Sequence, residues 1–158
     1  MLMNLTLYLD GDAFPNGLKA ILFRAIERFA LPTVVVSNKR ISIGNSELIT
    51  YIIVEAGPDE ADQRIIVMVK PGDLVITADI PLADGVISKK AYALDQRGKF
   101  FDEDNVKHYL SMRNLMQELR DSGMETKGPA AFSKKDAHEF ANQLNAFLVA
   151  QKQQRELS

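Results

Sequence analysis

Apolar and polar positions alternate along the chain in short blocks that predict strands and helices in turn. Residues 5–9 form a first apolar run that ends at Asp10-Gly11-Asp12, and a β-branched run follows at residues 33–37. Between them, the apolar residues from Leu18 to Phe29 recur at the i, i+3, i+4, i+7 spacing of an amphipathic helix. Further strands are predicted at residues 48–54, 74–77 and 92–94, with a short extension at residues 41–43.

Helices are predicted in the stretches between the later strands. Pro58 with three acids in the turn that follows predicts a helix over residues 58–70, and Pro81 opens another that reaches about Lys90. Residues 102–122 are expected to be helical, with a break near Ser111.

The last predicted helix follows a loop over residues 123–132. Ser133 and Asp136 match a capping pattern at its start. It is expected to bury four apolar side chains, those of Phe140, Leu144, Phe147 and Leu148.

The order β-α-β-β-α-β-α-β favours an α/β fold of three layers, with a mostly parallel, Rossmann-like central sheet of about five strands flanked by helices. We expect one domain over residues 1–150. The polar tail at residues 151–158 is expected to fray.

Composition narrows the function classes. The chain has 158 residues, 46% of them hydrophobic and 25% charged, which is ordinary for one globular domain. It has no cysteine and no apolar stretch near the ~20 residues of a membrane span, so we expect a soluble cytoplasmic protein without a membrane partner. The net charge of −2 gives no global attraction for nucleic acid, so an RNA partner would need a local basic patch or bound cations.

The strongest candidate chemistry is a set of acids at strand ends. Asp10 and Asp12 follow the first strand, and Asp79 follows the strand at residues 74–77. Ligands of open parallel sheets bind beyond the carboxyl ends of the strands, so these carboxylates converge if the two strands are neighbours. Mg²⁺ or Mn²⁺, which prefer oxygen ligands, would neutralise the cluster, and Gly11 would let the backbone approach the ligand.

Each acid also has a structural interpretation. Asp12 could cap the helix that begins at Pro15, and Asp62 could interact favourably with the dipole of its own helix. Arg24, Arg28 and Arg113 could hold phosphate, but single basic residues are commonly solvated surface charges. Asn38, at the end of the second strand, could shape a turn.

Several motifs in one order resemble the bacterial YaiI/YqxD family. The residues that carry the resemblance extend from Leu9 to Leu148, and the most specific block is Gly72-Asp73-Leu74-Val75-Ile76-Thr77-Ala78-Asp79-Ile80-Pro81-Leu82-Ala83. The others are the stretch from Leu9 to Pro15, Ile21-Leu22-Phe23-Arg24-Ala25, Ala61-Asp62, Ser111-Met112-Arg113, Gly128-Pro129 and Phe140-Ala141-Asn142-Gln143-Leu144. Phe14 stands where the family often has cysteine, and Lys127 where it often has a second glycine.

The resemblance implies a PIN-like fold related to nucleases that cut RNA with clustered acids and a divalent metal. It implies that Asp10, Asp12, Asp62 and Asp79 are family acids, and it makes Asn38 and Arg113 candidate substrate contacts beside Arg24.

Three functions follow as competing hypotheses. The first is a metal-dependent nuclease, RNA favoured, with Asp10, Asp12 and Asp79 on the metal and Asp62 completing the catalytic set. The second is a non-catalytic nucleic-acid or protein binding or regulatory module with a vestigial acidic site. The third is a haloacid-dehalogenase-like phosphatase, with Asp10-Gly11-Asp12 as its acid pair, although Gly72-Asp73 precedes its strand where that class places the pair after one.

Overall fold

The computed structural model describes residues 2–128 and 130–157, and within them it builds one six-stranded sheet covered by helices on both faces. The strands are β1 (Leu7–Asp10), β2 (Thr33–Ser37), β3 (Ile49–Ile53), β4 (Leu74–Ile76), β5 (Tyr92–Leu94) and β6 (Phe100–Phe101). The helices are α1 (Asn16–Phe29), α2 (Glu60–Met68), α3 (Ile80–Ser88), α4 (Glu103–Asp121) and α5 (Lys134–Leu157). The predicted three-layer α/β, Rossmann-like fold is confirmed.

The sheet has the strand order β3-β2-β1-β4-β5-β6, and its pairs are parallel except for β5 with β6. Leu7 of β1 lies opposite Leu74 of β4, and Leu9 lies opposite Ile76, so the two strands expected to be neighbours are paired in register. The order of the strands reverses between β1 and β4. Such a reversal opens a crevice at the carboxyl edge of a parallel sheet.

The two faces of the sheet bury different side chains because alternate residues of a strand point to opposite sides. Leu7 and Leu9 face the layer of α1 and α5, where Phe140, Leu144 and Leu148 of α5 are buried as predicted. Tyr8 faces the layer of α2, α3 and α4. Helix α1 contributes a stripe at helical spacing, namely Leu18, Leu22, Ile26 and Phe29.

Some predicted elements differ in the structure. The extension at residues 41–43 is not a strand, because Ile43 is buried in the core and its N–H donates to the hydroxyl of Tyr51 at 3.1 Å. Helix α4 runs unbroken through the exposed Ser111, and a sixth strand, β6, adds an antiparallel edge. Phe147 is half-buried, in contact with the rings of Tyr92 and Phe100.

Helix α5 continues through the C-terminal tail to Leu157, and the fraying of residues 151–158 stays a prediction. Polar side chains on the solvent side of a helix do not by themselves end it, and no glycine or proline interrupts this segment. Of the loop motif Gly128-Pro129, Pro129 lies outside the described residues. No helix in the described part of the chain is long and apolar enough to cross a membrane.

Candidate active site

Asp10 ends β1 at the carboxyl edge of the sheet and is only 9% exposed. One of its carboxylate oxygens, Oδ2, accepts a hydrogen bond of 2.9 Å from the hydroxyl of Thr77, the residue after β4. The other, Oδ1, accepts a longer one of 3.3 Å from the N–H of Asp12. The Asp10 side chain is therefore held by one donor at the end of β4 and by one donor in the loop that follows β1.

Asp79 lies beyond β4 and is joined to Asp10 through Thr77. The N–H of Asp79 donates to the Thr77 hydroxyl oxygen at 3.0 Å, and that hydroxyl donates to Asp10. The side chain of Asp79 also caps α3, because its Oδ1 accepts from the N–H of Leu82 at 2.9 Å. Thus the structural interpretation of an acid as a helix cap holds for Asp79, which still faces the same cavity as Asp10.

Asp12 does not cap α1, whose N-cap is Pro15 with no side-chain hydrogen bond. Its Oδ1 instead accepts from the backbone N–H of Asn38 at 2.9 Å. This bond ties the loop after β1 to the loop after β2 and places Asn38 beside the acids.

Gly11 serves packing between these loops. A Cβ at this position would lie 2.8 Å from Cδ1 of Ile41 and 3.2 Å from the carbonyl oxygen of Val36. Close packing of β2 and the loop after it therefore accounts for a glycine at this position, and the approach of a ligand to its backbone stays a prediction.

Asp62 reaches the same cavity from the other side. Ala61 and Ile65 are the buried residues of α2, and their packing on the sheet turns the adjacent Asp62 toward Asp79. The carboxyl group of Asp62 therefore lies close enough to that of Asp79 for the charge of Asp79 to act on it.

The cavity itself measures about 360 Å³ and is open to solvent. Its lining residues are Asp10, Asp12, Ala13, Gly57, Pro58, Asp59, Ala61, Asp62, Ala78, Asp79 and Gln96. Two polar members were missed from the sequence, Asp59 and Gln96. Asp59 carried a signal in its position after Pro58, whereas Gln96 lies in the turn between β5 and β6 and had none.

Burial, together with the charges of neighbouring acids, raises the pKa values of Asp10 and Asp62. Burial above all raises the pKa of Asp10 to about 6, with the charges of Asp12 and Asp79 adding to it, while the hydrogen bonds from Thr77 and from the Asp12 N–H lower it. Burial, and after it the charge of Asp79, raises the pKa of Asp62 to about 7, and the charges of Asp10 and Asp59 add smaller contributions. A carboxyl group with a pKa near neutrality can exchange a proton at physiological pH.

The expected three-carboxylate metal set of Asp10, Asp12 and Asp79 is not formed. Within residues 2–128 and 130–157, no three His, Cys, Asp or Glu side chains are grouped so that they could hold a metal ion. The hydrogen bonds explain the spacing, because each of these three acids directs a carboxylate oxygen at a protein N–H or hydroxyl. The acids line one cavity without converging on one point.

The two predicted arginine contacts lie on different sides of the molecule. Arg113 lines a second groove, which shares Asp59 and Asp62 with the acid cavity. Arg24 lines a cavity between α1 and α5, together with Arg28, and this cavity shares no residue with the acid cavity. The structure therefore places Arg113, but not Arg24, near the acids.

Asp73, the acid of the phosphatase-like Gly72-Asp73 pair, lies at the opposite edge of the sheet. It precedes β4, and its two oxygens accept from the N–H groups of Thr6 and Lys70, each at 2.9 Å. An acid there cannot reach Asp10, so the phosphatase hypothesis has no support in the geometry.

Comparison with known proteins places this chain among close relatives. A family model described as "Uncharacterized BCR, YaiI/YqxD family" matches residues 8–150. The UPF0178 protein of Sulfurimonas denitrificans is 64% identical over 143 residues, which cover 90% of this chain and 95% of the relative. The UPF0178 protein of Sulfurovum sp. is 60% identical over 145 residues, with coverage of 92% and 98%.

Among solved structures, the homospermidine synthase of Legionella pneumophila in complex with NAD matches with a TM-score of 0.48 and 12% identity. The match covers 92% of this chain and 39% of that one, and at this score it carries no information about function.

Proposed function

The chain belongs to the YaiI/YqxD family, and from that premise we propose that it is a phosphodiester hydrolase acting on RNA with the help of Mg²⁺ or Mn²⁺. One observation carries the proposal. Asp10 from β1, Asp62 from α2 and Asp79 from the end of β4 face one open cavity where the strand order reverses. Parallel α/β folds place their ligands at such a reversal.

The donor chemistry fits a hard cation, although the protein alone offers no set of three ligands. Mg²⁺ keeps several waters and is commonly held by one or two carboxylates together with the phosphates of its substrate. Asp10 and Asp79 would hold such an ion, with Asp12 beside them. The ion would supply charge neutralisation at the phosphate and a more acidic bound water.

The protein groups have separable roles under this proposal. Asp62, whose pKa is raised to about 7, would accept the proton of the attacking water, as a general base with a pKa near the working pH does efficiently. Thr77 holds Asp10 and Asp79 in a fixed relation through its hydroxyl. Asn38, tied to Asp12 at the rim of the cavity, would contact the substrate.

A second candidate is a non-catalytic nucleic-acid or protein binding or regulatory module that retains the acids without a metal. The observation that favours it is the set of internal hydrogen bonds made by Asp10, Asp12 and Asp79, which satisfies part of each carboxylate without any ion. Metal dependence separates the two functions, because only the first requires it.

The test pairs thermal melts with a cleavage assay on single-stranded RNA, each with and without Mn²⁺. The wild type should gain ~2.7 kcal/mol of stability at a metal concentration one hundred times its dissociation constant, and it should cleave RNA. Asp10→Asn and Asp79→Asn should lose both effects, because an amide is a poorer ligand for a hard cation. Asparagine can still cap a helix, so Asp79→Asn leaves α3 intact.

Glu47→Gln is the matched control, since it removes one negative charge at an exposed position that precedes β3. It should keep both the metal-dependent stabilisation and the cleavage. If the wild type neither gains stability from millimolar metal nor cleaves RNA, the proposed hydrolase function is rejected and the binding module is the better account.

A further inference from the structure

A second groove continues from the acid cavity between α2, α3 and α4. It measures about 530 Å³, within the usual range for small-molecule sites. Its lining residues are Asp59, Asp62, Gln63, Ile66, Val67, Pro81, Leu82 and Arg113. Asp59 and Asp62 line both spaces, so a chain molecule that occupies the acid cavity can continue into the groove.

Among the described residues, Arg113 is the one cationic side chain that lines this groove. Other basic residues of α4 have protein partners, since Lys107 pairs with Asp84 at 2.8 Å and Arg120 donates to Gln117 at 2.9 Å. No hydrogen bond or ion pair is found for Arg113 in the described part of the chain, and its side chain is exposed. Asp59 and Asp62 line the same groove without bridging to it, so the guanidinium is available to an external anion, and its planar fork matches phosphate oxygens.

Part of the groove wall is apolar and accessible. Val67 of α2 is 78% exposed, and the half-buried Ile66 and the exposed Pro81 line the same groove. An apolar wall beside a single arginine complements a nucleotide, whose base has an apolar face and whose phosphate carries the charge. Bases are free to make such contacts in unpaired RNA, whereas in a duplex they are stacked and paired.

We propose that this groove binds the nucleotide next to the scissile phosphate in single-stranded RNA. Arg113 would bind a second phosphate, the one that belongs to this neighbouring nucleotide. The inference rests on the proposed function and adds the path of the substrate to it. No aromatic ring from the described part of the chain lines the groove. Stacking, which gives single-strand binders much of their affinity, is therefore absent, and we expect modest affinity and little preference among bases.

The cavity between α1 and α5 is the rival path because it is larger, about 840 Å³, and contains Arg24 and Arg28. It lies on the other face of the sheet from α2, α3 and α4, so RNA bound there would not extend directly into the acid cavity. Arg28 is also engaged already, with a 3.1 Å hydrogen bond to Asn145.

The test measures binding of a fluorescent single-stranded oligouridine by anisotropy over a KCl series, in the Asp10→Asn background, which should bind RNA without cutting it. Arg113→Gln should weaken binding about tenfold, the effect of losing one charge-assisted contact. It should also reduce the slope of log K against log [KCl] by about 0.7, the value for one phosphate contact on a single strand. Arg24→Gln removes the same charge from the other face and should change binding less than about twofold.

A gain-of-function variant guards against misfolding. Val67→Lys introduces a cation at an exposed position of the groove and should tighten binding severalfold while steepening the salt dependence by about 0.7. Equal losses from Arg113→Gln and Arg24→Gln, or a loss from Arg24→Gln alone, would overturn the assignment of the groove.

The proposed function fails in a different way from this inference. If the wild type cleaves RNA and Arg113→Gln retains its kcat/KM and its affinity, the hydrolase stands and the groove is not the path. If the Asp10→Asn protein binds no RNA at all and the wild type does not cleave, the RNA hydrolase itself is rejected, and the substrate path with it.

Discussion

Two buried aspartates stand at opposite edges of the same sheet, and their surroundings differ. Asp73, 7% exposed, accepts one backbone N–H at each carboxylate oxygen. Asp10, 9% exposed, accepts one hydroxyl and one longer N–H bond, and it faces other acids. Burial alone therefore does not mark a functional carboxylate. A charge satisfied by local backbone donors stabilises a turn, whereas a charge placed among like charges weakens the fold and needs a partner from outside.

The largest expected effect is at the satisfied carboxylate. Asp73→Asn replaces one acceptor by an NH₂ group that faces the N–H of Thr6 or Lys70. Leaving a buried donor unsatisfied should cost about 2–3 kcal/mol of unfolding free energy, measured by urea denaturation. A loss below about 1 kcal/mol would show that the turn relaxes around the amide, and the contrast between the two acids would then be weaker than the hydrogen bonds indicate.

The second effect has the opposite sign. Asp10→Asn should stabilise the metal-free protein at pH 7 by about 2 kcal/mol. The folded pKa of about 6 lies above the ordinary value of 3.8, so ionisation opposes folding by about 3 kcal/mol, and the loss of one hydrogen-bond acceptor offsets about 1 kcal/mol of that gain. A decrease in unfolding free energy would identify Asp10 as a structural residue like Asp73.

The pH dependence of that gain follows from the same pKa. The folded state binds the Asp10 proton more tightly than the unfolded state, so this group's favourable contribution is fully present below the unfolded pKa and is lost as pH rises toward about 6. The advantage of Asn over Asp should thus be near zero at about pH 4 and complete above about pH 6. Parallel melts of wild type and variant across this range give the difference directly, and a difference that does not change with pH would contradict the raised pKa.

The smallest effect concerns Thr77, which links the two acids at the carboxyl edge. Thr77→Val keeps the shape but removes the hydroxyl that donates to Asp10 and accepts from the N–H of Asp79, at a cost of about 1 kcal/mol. It should raise the pKa of Asp10 further, because the Thr77 hydrogen bond lowers it. Carboxyl NMR titration measures this, with Thr77→Ser as the control that keeps the hydroxyl, and an unchanged pKa would show that the hydroxyl does not act on Asp10.

The fold was largely predictable because its strands are continuous apolar runs separated by helical spacing. β1 and β4 each end in a short polar segment with an acid, which is how their shared edge could be anticipated. Strand β6 has two residues and is set by the preceding turn, in which Oδ1 of Asp95 accepts from the N–H groups of Arg97 and Lys99. A pattern of alternating side chains cannot be read from two positions.

The site was only partly predictable. Asp10 and Asp79 follow from strand ends, but the position of Asp62 depends on how α2 rotates on the sheet, which tertiary packing decides. The same holds for the arginines, since spacing along α1 and α4 does not show that Arg24 and Arg113 face opposite layers. The failure of the three-carboxylate set likewise reflects hydrogen bonds to Thr77, Asn38 and Leu82 that sequence spacing does not contain.

The central position of β1 also has a consequence for synthesis on the ribosome. β1 pairs with β2, which follows soon after it, and with β4, which emerges only after β2, β3 and α2. A nascent chain that ends before β4 leaves one edge of β1 unpaired, and an unpaired edge is open to association with other chains. Asp79 follows β4 directly, so any cation that stabilises the acid cavity favours only chains in which β4 is already available to pair with β1.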